Sequence, residues 1–227
     1  MLIIYSIITN FSNENTSNSL KNYILFLDTE TSGLPKKWDK KYSDTQNWPH
    51  ALQVAWIIFD ADFNEVKRTN KYIYEPFIFI SRESEQIHGL TPQFLREHGE
   101  NKKNILRKLA HDLKKYQPLI VGHFLAFDLQ VIAAECVRSK LNMPFEQLIY
   151  FCTLWHSKMY VRNPNMVHMN LSHLHETLFT EIPKDLHNAE KDAEITAKCY
   201  FEMVNRNQLS TEDIENQQVR FVNLLQP

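Results

Sequence analysis

Four carboxylates and one imidazole stand apart in this chain by type and spacing. Asp28 and Glu30 leave an apolar run as Asp-Thr-Glu. Residues two apart on a strand point to one face, so both carboxylates can meet there. Asp128 closes the stretch Gly122-His123-Phe124-Leu125-Ala126-Phe127-Asp128, which follows a second, shorter apolar run. Asp192 lies five residues after His187, in the first turn of a predicted helix. Each alone has an ordinary reading, because Asp caps helices and complements their dipoles. As a set they would repel, and a buried unpaired charge costs several kcal/mol. A convergent set therefore implies divalent cations, and oxygen ligands without cysteine favour Mg²⁺ or Mn²⁺ over Zn²⁺. Two such ions suit in-line displacement at a phosphodiester by water. His187, in the turn before that helix, is of the type that can take up a proton near neutrality.

Convergence depends on the elements that hold these residues. Residues 23–27 (YILFL) read as a buried strand that ends at Asp28. Residues 52–59 and 66–74 read as two more strands around a turn at 60–64, an antiparallel meander hung on the first. Residues 31–50, with Gly33, Pro35, Pro49 and six charges, form a long loop. Thr91-Pro92 opens a helix that Gly99 closes. Ile105, Leu109, Leu113 and Tyr116 recur at helical spacing, and residues 119–122 (LIVG) make a short buried strand. Leu129, Ile132, Ala133, Cys136 and Val137 form the core stripe of a helix that ends before Pro144. A strand at 148–151, a short helix from Thr153 and a polar loop around Pro164 follow. Helices at 171–179 and 189–206 come last, the latter with Ala189, Ala193, Ala197, Tyr200 and Val204 facing in. The pattern is that of an α/β protein, a mixed sheet with helices on its faces.

The 227 residues suit one domain with extra segments. Hydrophobic residues at 43% and charged residues at 23% supply a sizeable core and exclude wholesale disorder. A net charge of −2 speaks against gripping duplex DNA by charge alone. Gly33, Gly89, Gly99 and Gly122 are too far apart for a dinucleotide-binding or P-loop turn. Cys136, Cys152 and Cys199 are odd in number and lack CxxC spacing. They exclude a disulfide framework and the usual zinc ribbons, and they suit a reducing, cytoplasmic setting. Residues 1–9 are apolar, lack a basic start and are too short to span a bilayer. With the Asn-, Ser- and Thr-rich stretch 10–22 they read as a flexible arm, and no membrane association is expected.

The strings FLDTETSGLP, IHGLTPQFLREHG, VGHFLAFD and HNAEKDAEITA, in this order and spacing, resemble the DEDDh class of DnaQ-like 3′–5′ exonucleases. That family includes the proofreading epsilon subunit of bacterial DNA polymerase III. The resemblance covers residues 23–205, and the segment from Asn47-Trp48-Pro49 through Trp56 is also similar to stand-alone members. It implies an RNase-H-like fold with a central mixed five-stranded sheet flanked by helices. It also implies hydrolysis of single-stranded DNA or RNA from the 3′ end to nucleoside 5′-monophosphates, with two Mg²⁺ or Mn²⁺ ions. By this resemblance Asp28, Glu30, Asp128 and Asp192 are the metal ligands and His187 the general base. His187, Ala189 and Asp192 meet the His-x-Ala-x-x-Asp form of the third motif in full. Thr29, Thr31, Leu34, His88 and Phe124 take the substrate-contacting positions.

Phe124 departs from the family, which usually has Asn after the His of the second motif. The amide's hydrogen bonds are lost, and a ring can stack on a base instead. The implied layout is a flexible arm at 1–22, an exonuclease domain at 23–206 and a tail at 207–227, with a polymerase or repair protein as the expected class of partner. The alternatives are an RNA-trimming oligoribonuclease or RNase T-like enzyme, and a non-catalytic docking module of the same fold. The presence of all five motif residues weighs against the docking module.

Other groups carry two readings. Lys36, Lys37, Trp38, Lys40, Lys41 and Tyr42 interleave basic and aromatic residues directly after the first motif. They suit phosphate contact and base stacking at a single-stranded end, or else a solvated loop with Trp38 tucked onto the domain. Lys102, Lys103, Arg107, Lys108, Lys114 and Lys115 read as the wet face of an amphipathic helix. His173 and His175 are two apart on a helix and point apart, so with His168 they make no zinc site. Beyond Arg206, the apolar residues Val219, Phe221, Val222, Leu224 and Leu225 are expected to pack on the body rather than bind a partner.

Overall fold

The computed structural model describes residues 23–226; the expected N-terminal arm, residues 1–22, lies outside the described residues, as does Pro227. Five strands form one sheet: β1 (Ile24–Thr31), β2 (Ala51–Phe59), β3 (Glu65–Tyr72), β4 (Leu119–Gly122) and β5 (Ile149–Cys152). Their order is β3-β2-β1-β4-β5. β1, β2 and β3 pair antiparallel, while β4 and β5 run parallel to β1. This is the mixed five-stranded sheet that the motifs imply. Eight helices accompany it among the described residues: α1 (Arg82–His88), α2 (Pro92–His98), α3 (Lys102–Tyr116), α4 (Leu125–Ser139), α5 (Thr153–His156), α6 (Leu171–Phe179), α7 (Ala189–Asn205) and α8 (Thr211–Leu224).

Side chains alternate across β1. Leu25 and Leu27 join Ile105, Leu109, Leu129, Ile132 and Phe221 in a core built with α3, α4 and α8. Ile24 and Phe26 face the other way, among Leu174, Ala193, Ala197 and Tyr200 of α6 and α7. The same alternation carries Asp28 and Glu30 to the α7 side and Thr29 to the α4 side. β1 also runs on past the sequence expectation, which ended it at Asp28, because β2 continues to pair with it as far as Thr31. β4 pairs with it only along residues 24–26. Residues 27–31 therefore outrun their parallel neighbour, and the first turn of α4 comes in just past the end of β4.

Several expectations change in detail. Val137, expected in the core stripe of α4, is 42% exposed, because it lines an open hollow with Leu141 and Met143 while Cys136 and Ser139 beside it stay buried. Lys102, expected on the wet face of α3, is buried and ion-paired with Glu75 and Glu135. α1 buries no residue, so no apolar stripe marks it, and its caps Ser81 and left-handed Gly89 are its main local signal.

The segment after Arg206 contains α8, opened by a reciprocal cap between Ser210 and Asp213. Phe221 and Leu225 are buried, as expected for packing, and so is Ile214, while Val219 and Val222 stay exposed. Gln217 accepts from Cys152 N–H at 2.7 Å and donates back to its carbonyl, and Gln218 makes the same exchange with Tyr150. Two glutamines thus satisfy the outer edge of β5, which would otherwise offer unpaired backbone groups. Phe221 is fully buried against Tyr150 and Trp155. Phe221→Ala should lower the unfolding free energy by about 3–5 kcal/mol, whereas Val222→Ala should change it by under about 0.5 kcal/mol, both read by urea denaturation.

Candidate active site

The carboxylates expected to converge do so. Ligand oxygens of Asp28, Glu30 and Asp192 lie within 4.8 Å of one another. Asp128 joins from the α4 side, where it accepts from the Thr29 hydroxyl at 2.7 Å. Glu30 and Asp128 are buried. No Lys or Arg among the described residues is ion-paired to any of the four, and each carboxyl holds its proton more tightly than usual. Burial pushes Glu30 up to about 8, with Asp192 and Asp128 adding to it. Burial raises Asp128 to about 7 even though Thr29 donates to it. Asp192 is raised by burial to about 6, with His187 pulling the other way. Asp28, at the centre, is raised well above the carboxylate range by burial and by the other three. Oδ1 of Asp192 is buried without a hydrogen-bond partner. An all-oxygen donor set, mutually repelling and with an orphaned oxygen, fits a hard divalent cation.

A second acidic group shows the opposite condition. His50, Glu75 and Glu135 also bring ligand atoms within 4.8 Å. There the protein supplies its own cations: Lys102 lies 2.7 Å and Arg138 2.9 Å from the Glu135 carboxylate. Burial would raise Glu135, but the bond from His50 and the charges of Arg138 and Lys102 hold it below its ordinary range. That group is a paired structural centre and needs no ion.

Local clamps orient the site. Gln53, buried on β2 and in register with Glu30, accepts from Ala189 N–H at 3.3 Å and donates to Asn70 and Asn188. Asn188 in turn caps α7. The start of α7, and with it Asp192, is thereby fastened to the sheet. Gln53 is a positioning residue outside the predicted site set; its signal is a lone polar side chain inside the apolar run of β2. His187 is exposed, with a left-handed φ of 65°, and its backbone N–H donates to Asp192 Oδ2 at 3.1 Å.

The residues expected to touch substrate divide in their surroundings. Thr29 is committed to Asp128, and the Thr31 hydroxyl donates to Gly33 O. His88 Nδ1 accepts from Leu90 N–H, which leaves Nε2 to donate to Thr31 O at 3.2 Å. Burial lowers the proton affinity of His88, and neighbouring His187 adds to this. Leu34 is 70% exposed. Phe124 is half-exposed and stands at the start of α4, in contact with the rings of Trp38 and Phe127.

The model of the exonuclease family of RNase T type matches residues 25–200. The chain belongs to this exonuclease family. Solved structures of the same fold include E. coli exonuclease I with single-stranded DNA in a zinc-bound form, 21% identical, at a TM-score of 0.65 over 83% of this chain and 41% of that one. The complex of E. coli exonuclease I with a dA16 oligonucleotide is 21% identical, at 0.66 over 82% and 42%. Exonuclease I from Methylocaldum szegediense is 16% identical, at 0.64 over 82% and 41%. The chain thus spans less than half the length of these structures. No curated protein sequence matches it significantly. The five-stranded sheet flanked by helices is that of the RNase H-like exonucleases, as the motifs imply.

In this member of the family the raised carboxyl affinities have a thermodynamic consequence. The folded, metal-free protein holds protons that an unfolded chain releases near pH 4. Their stabilisation is complete below that pH and is lost as pH rises through about 6 to 8, the range of Asp192, Asp128 and Glu30. The metal-free thermal midpoint should therefore fall between pH 5 and pH 8. Mg²⁺ should raise it more at pH 8, where no protons compete. Asp28→Asn should raise the metal-free midpoint at pH 8 and abolish most of the Mg²⁺ response.

Proposed function

We propose that this exonuclease removes nucleotides one at a time from the 3′ end of single-stranded DNA, releasing nucleoside 5′-monophosphates with the help of two Mg²⁺ or Mn²⁺ ions. The observation that carries the reading is the cluster of Asp28, Glu30, Asp128 and Asp192, ion-paired to no Lys or Arg among the described residues and with an imidazole next to it. Divalent ions bound there would polarise a water for in-line attack and stabilise the oxygen that leaves. The four carboxylates would hold the ions, with Asp128 oriented by Thr29 and Asp192 by the backbone of His187. His187 takes the proton of the attacking water at a ring nitrogen. His187 is exposed, so the proton can pass on to solvent. Thr31, Leu34, His88 and Phe124 border the place of the terminal nucleotide.

DNA is favoured over RNA because the fold neighbours carry single-stranded DNA. A proofreading or repair setting beside a polymerase or repair protein belongs to this proposal; a cytoplasmic location accords with three free, buried cysteines suited to a reducing compartment. Among the described residues no helix is long and apolar enough to cross a membrane.

The test is digestion of 5′-labelled single-stranded DNA and the matching RNA, each with Mg²⁺, Mn²⁺ or EDTA. DNA should shorten stepwise from its 3′ end with either ion and stay intact in EDTA. Faster loss of RNA would favour the RNA-trimming enzyme, and no loss of either would favour a docking module. Asp28→Ala should abolish turnover while the chain still folds. His187→Ala should lower turnover by ~10²–10⁴-fold and flatten the acid limb of the pH–rate profile. Ca²⁺-supported binding should change little in that variant; a loss as large as the loss of turnover would make His187 a positioning residue instead.

A further inference from the structure

Trp38 and Phe124 lie far apart in the sequence, yet their rings meet at 5.6 Å, and both also contact Phe127. Neither large side chain is tucked away. Trp38 is 54% and Phe124 38% exposed, on the end of α4 that carries Asp128. The loop that brings Trp38 there is built rather than loose. Asn47 exchanges hydrogen bonds with Lys37, and Arg138 of α4 bonds to the carbonyls of Thr45, Trp48 and Pro49. Trp48 is buried beneath, and its indole N–H donates to Lys41 O. Lys36, Lys37 and Lys40 are exposed along the same loop.

Phe124 also holds an unfavourable backbone. Its φ is 72°, in the left-handed region, and as the N-cap of α4 it makes no side-chain bond to the helix. A residue of this shape gives up about 1–2 kcal/mol there relative to its ordinary conformations. Asn tolerates that region and caps helices well, so helix stability alone does not account for a phenyl ring at this position.

We propose that Trp38 and Phe124 form a stacking shelf for an unpaired base at the 3′ end of the substrate strand, with the exposed lysines of the loop taking its phosphates. This rests on the exonuclease reading and adds the element that recognises an unpaired end. Unpaired bases offer a free face to aromatic rings, and stacking tolerates any base, which suits an enzyme that works along a strand. A paired end has that face covered and must fray before it can reach the shelf.

The test uses the full chain with Ca²⁺ and two short single-stranded DNA probes, an oligothymidylate and the same strand with abasic sites at its 3′ end. The wild type should bind the base-bearing strand more tightly by roughly 5- to 150-fold, the equivalent of ~1–3 kcal/mol per stacked base. Trp38→Ala should lose that preference by weakening only the base-bearing strand, and Trp38→Tyr should restore most of it. Phe124→Asn should also reduce the preference while raising the thermal midpoint, which separates loss of stacking from loss of fold. If Trp38→Ala and Phe124→Asn keep the wild-type preference, the shelf is not a binding surface and the proposal is wrong. If the wild type binds neither probe, the exonuclease reading fails first and this inference falls with it.

Discussion

Like charge held in one place is the constraint on which the rest of the site depends. Glu30, Asp128 and Asp192 all raise the proton affinity of Asp28, Asp192 and Asp128 also raise that of Glu30, and no Lys or Arg among the described residues is ion-paired to any of the four. The sheet and two helices must hold this arrangement against its own repulsion until cations arrive. The Glu135 centre is the useful contrast, because it is buried just as deeply but carries Lys102, Arg138 and His50 as built-in partners. One group is neutral as folded and serves the architecture. The other is left in deficit, which is the condition of a site awaiting something from outside.

The sheet meets this demand through unequal strand lengths. β1 outruns β4, so its last residues have a neighbour in β2 on one side while α4 arrives past the other. Alternation along β1 then places two carboxylates toward α7 and leaves Thr29 between them, facing α4 and bonded to Asp128. On the far side, Gln53 ties the first turn of α7 to β2. Each of the three elements bringing a carboxylate is thus fastened to another by a buried or nearly buried hydrogen bond. Such bonding limits how far the carboxylates can spread and is what a preorganised metal site requires.

Much of this was legible in the sequence, and what was not has physical causes. Strands and helices with one-sided or continuous apolar runs, such as residues 119–122 and 171–179, stand out because burial writes the pattern. The four carboxylates were visible as motif residues, but their meeting depends on β1 outrunning β4, a relation between distant segments that no local pattern records. α1 escaped because it buries nothing, and Lys102 was misread because its stem and ammonium are covered by Glu75 and Glu135 from elsewhere in the chain. α8 was seen only as apolar residues expected to pack. Its helical form and its hold on the edge of β5 come from glutamines, which hydropathy counts as surface.

α4 joins the two halves of the site. Its first turns carry Phe124 at the aromatic surface and Asp128 among the carboxylates, four residues and about one turn apart. Further along, Glu135 and Arg138 anchor the loop that presents Trp38. A shift of this one helix would move a carboxylate of the cluster, the ring beside it and the loop that faces both. The buried ion centre at Glu135 helps to seat that helix, because Glu135 accepts from Ala51 N–H at the start of β2 and pairs with Lys102 of α3. That dependence gives a reason for an expensive buried charge network where apolar packing would otherwise serve stability as well.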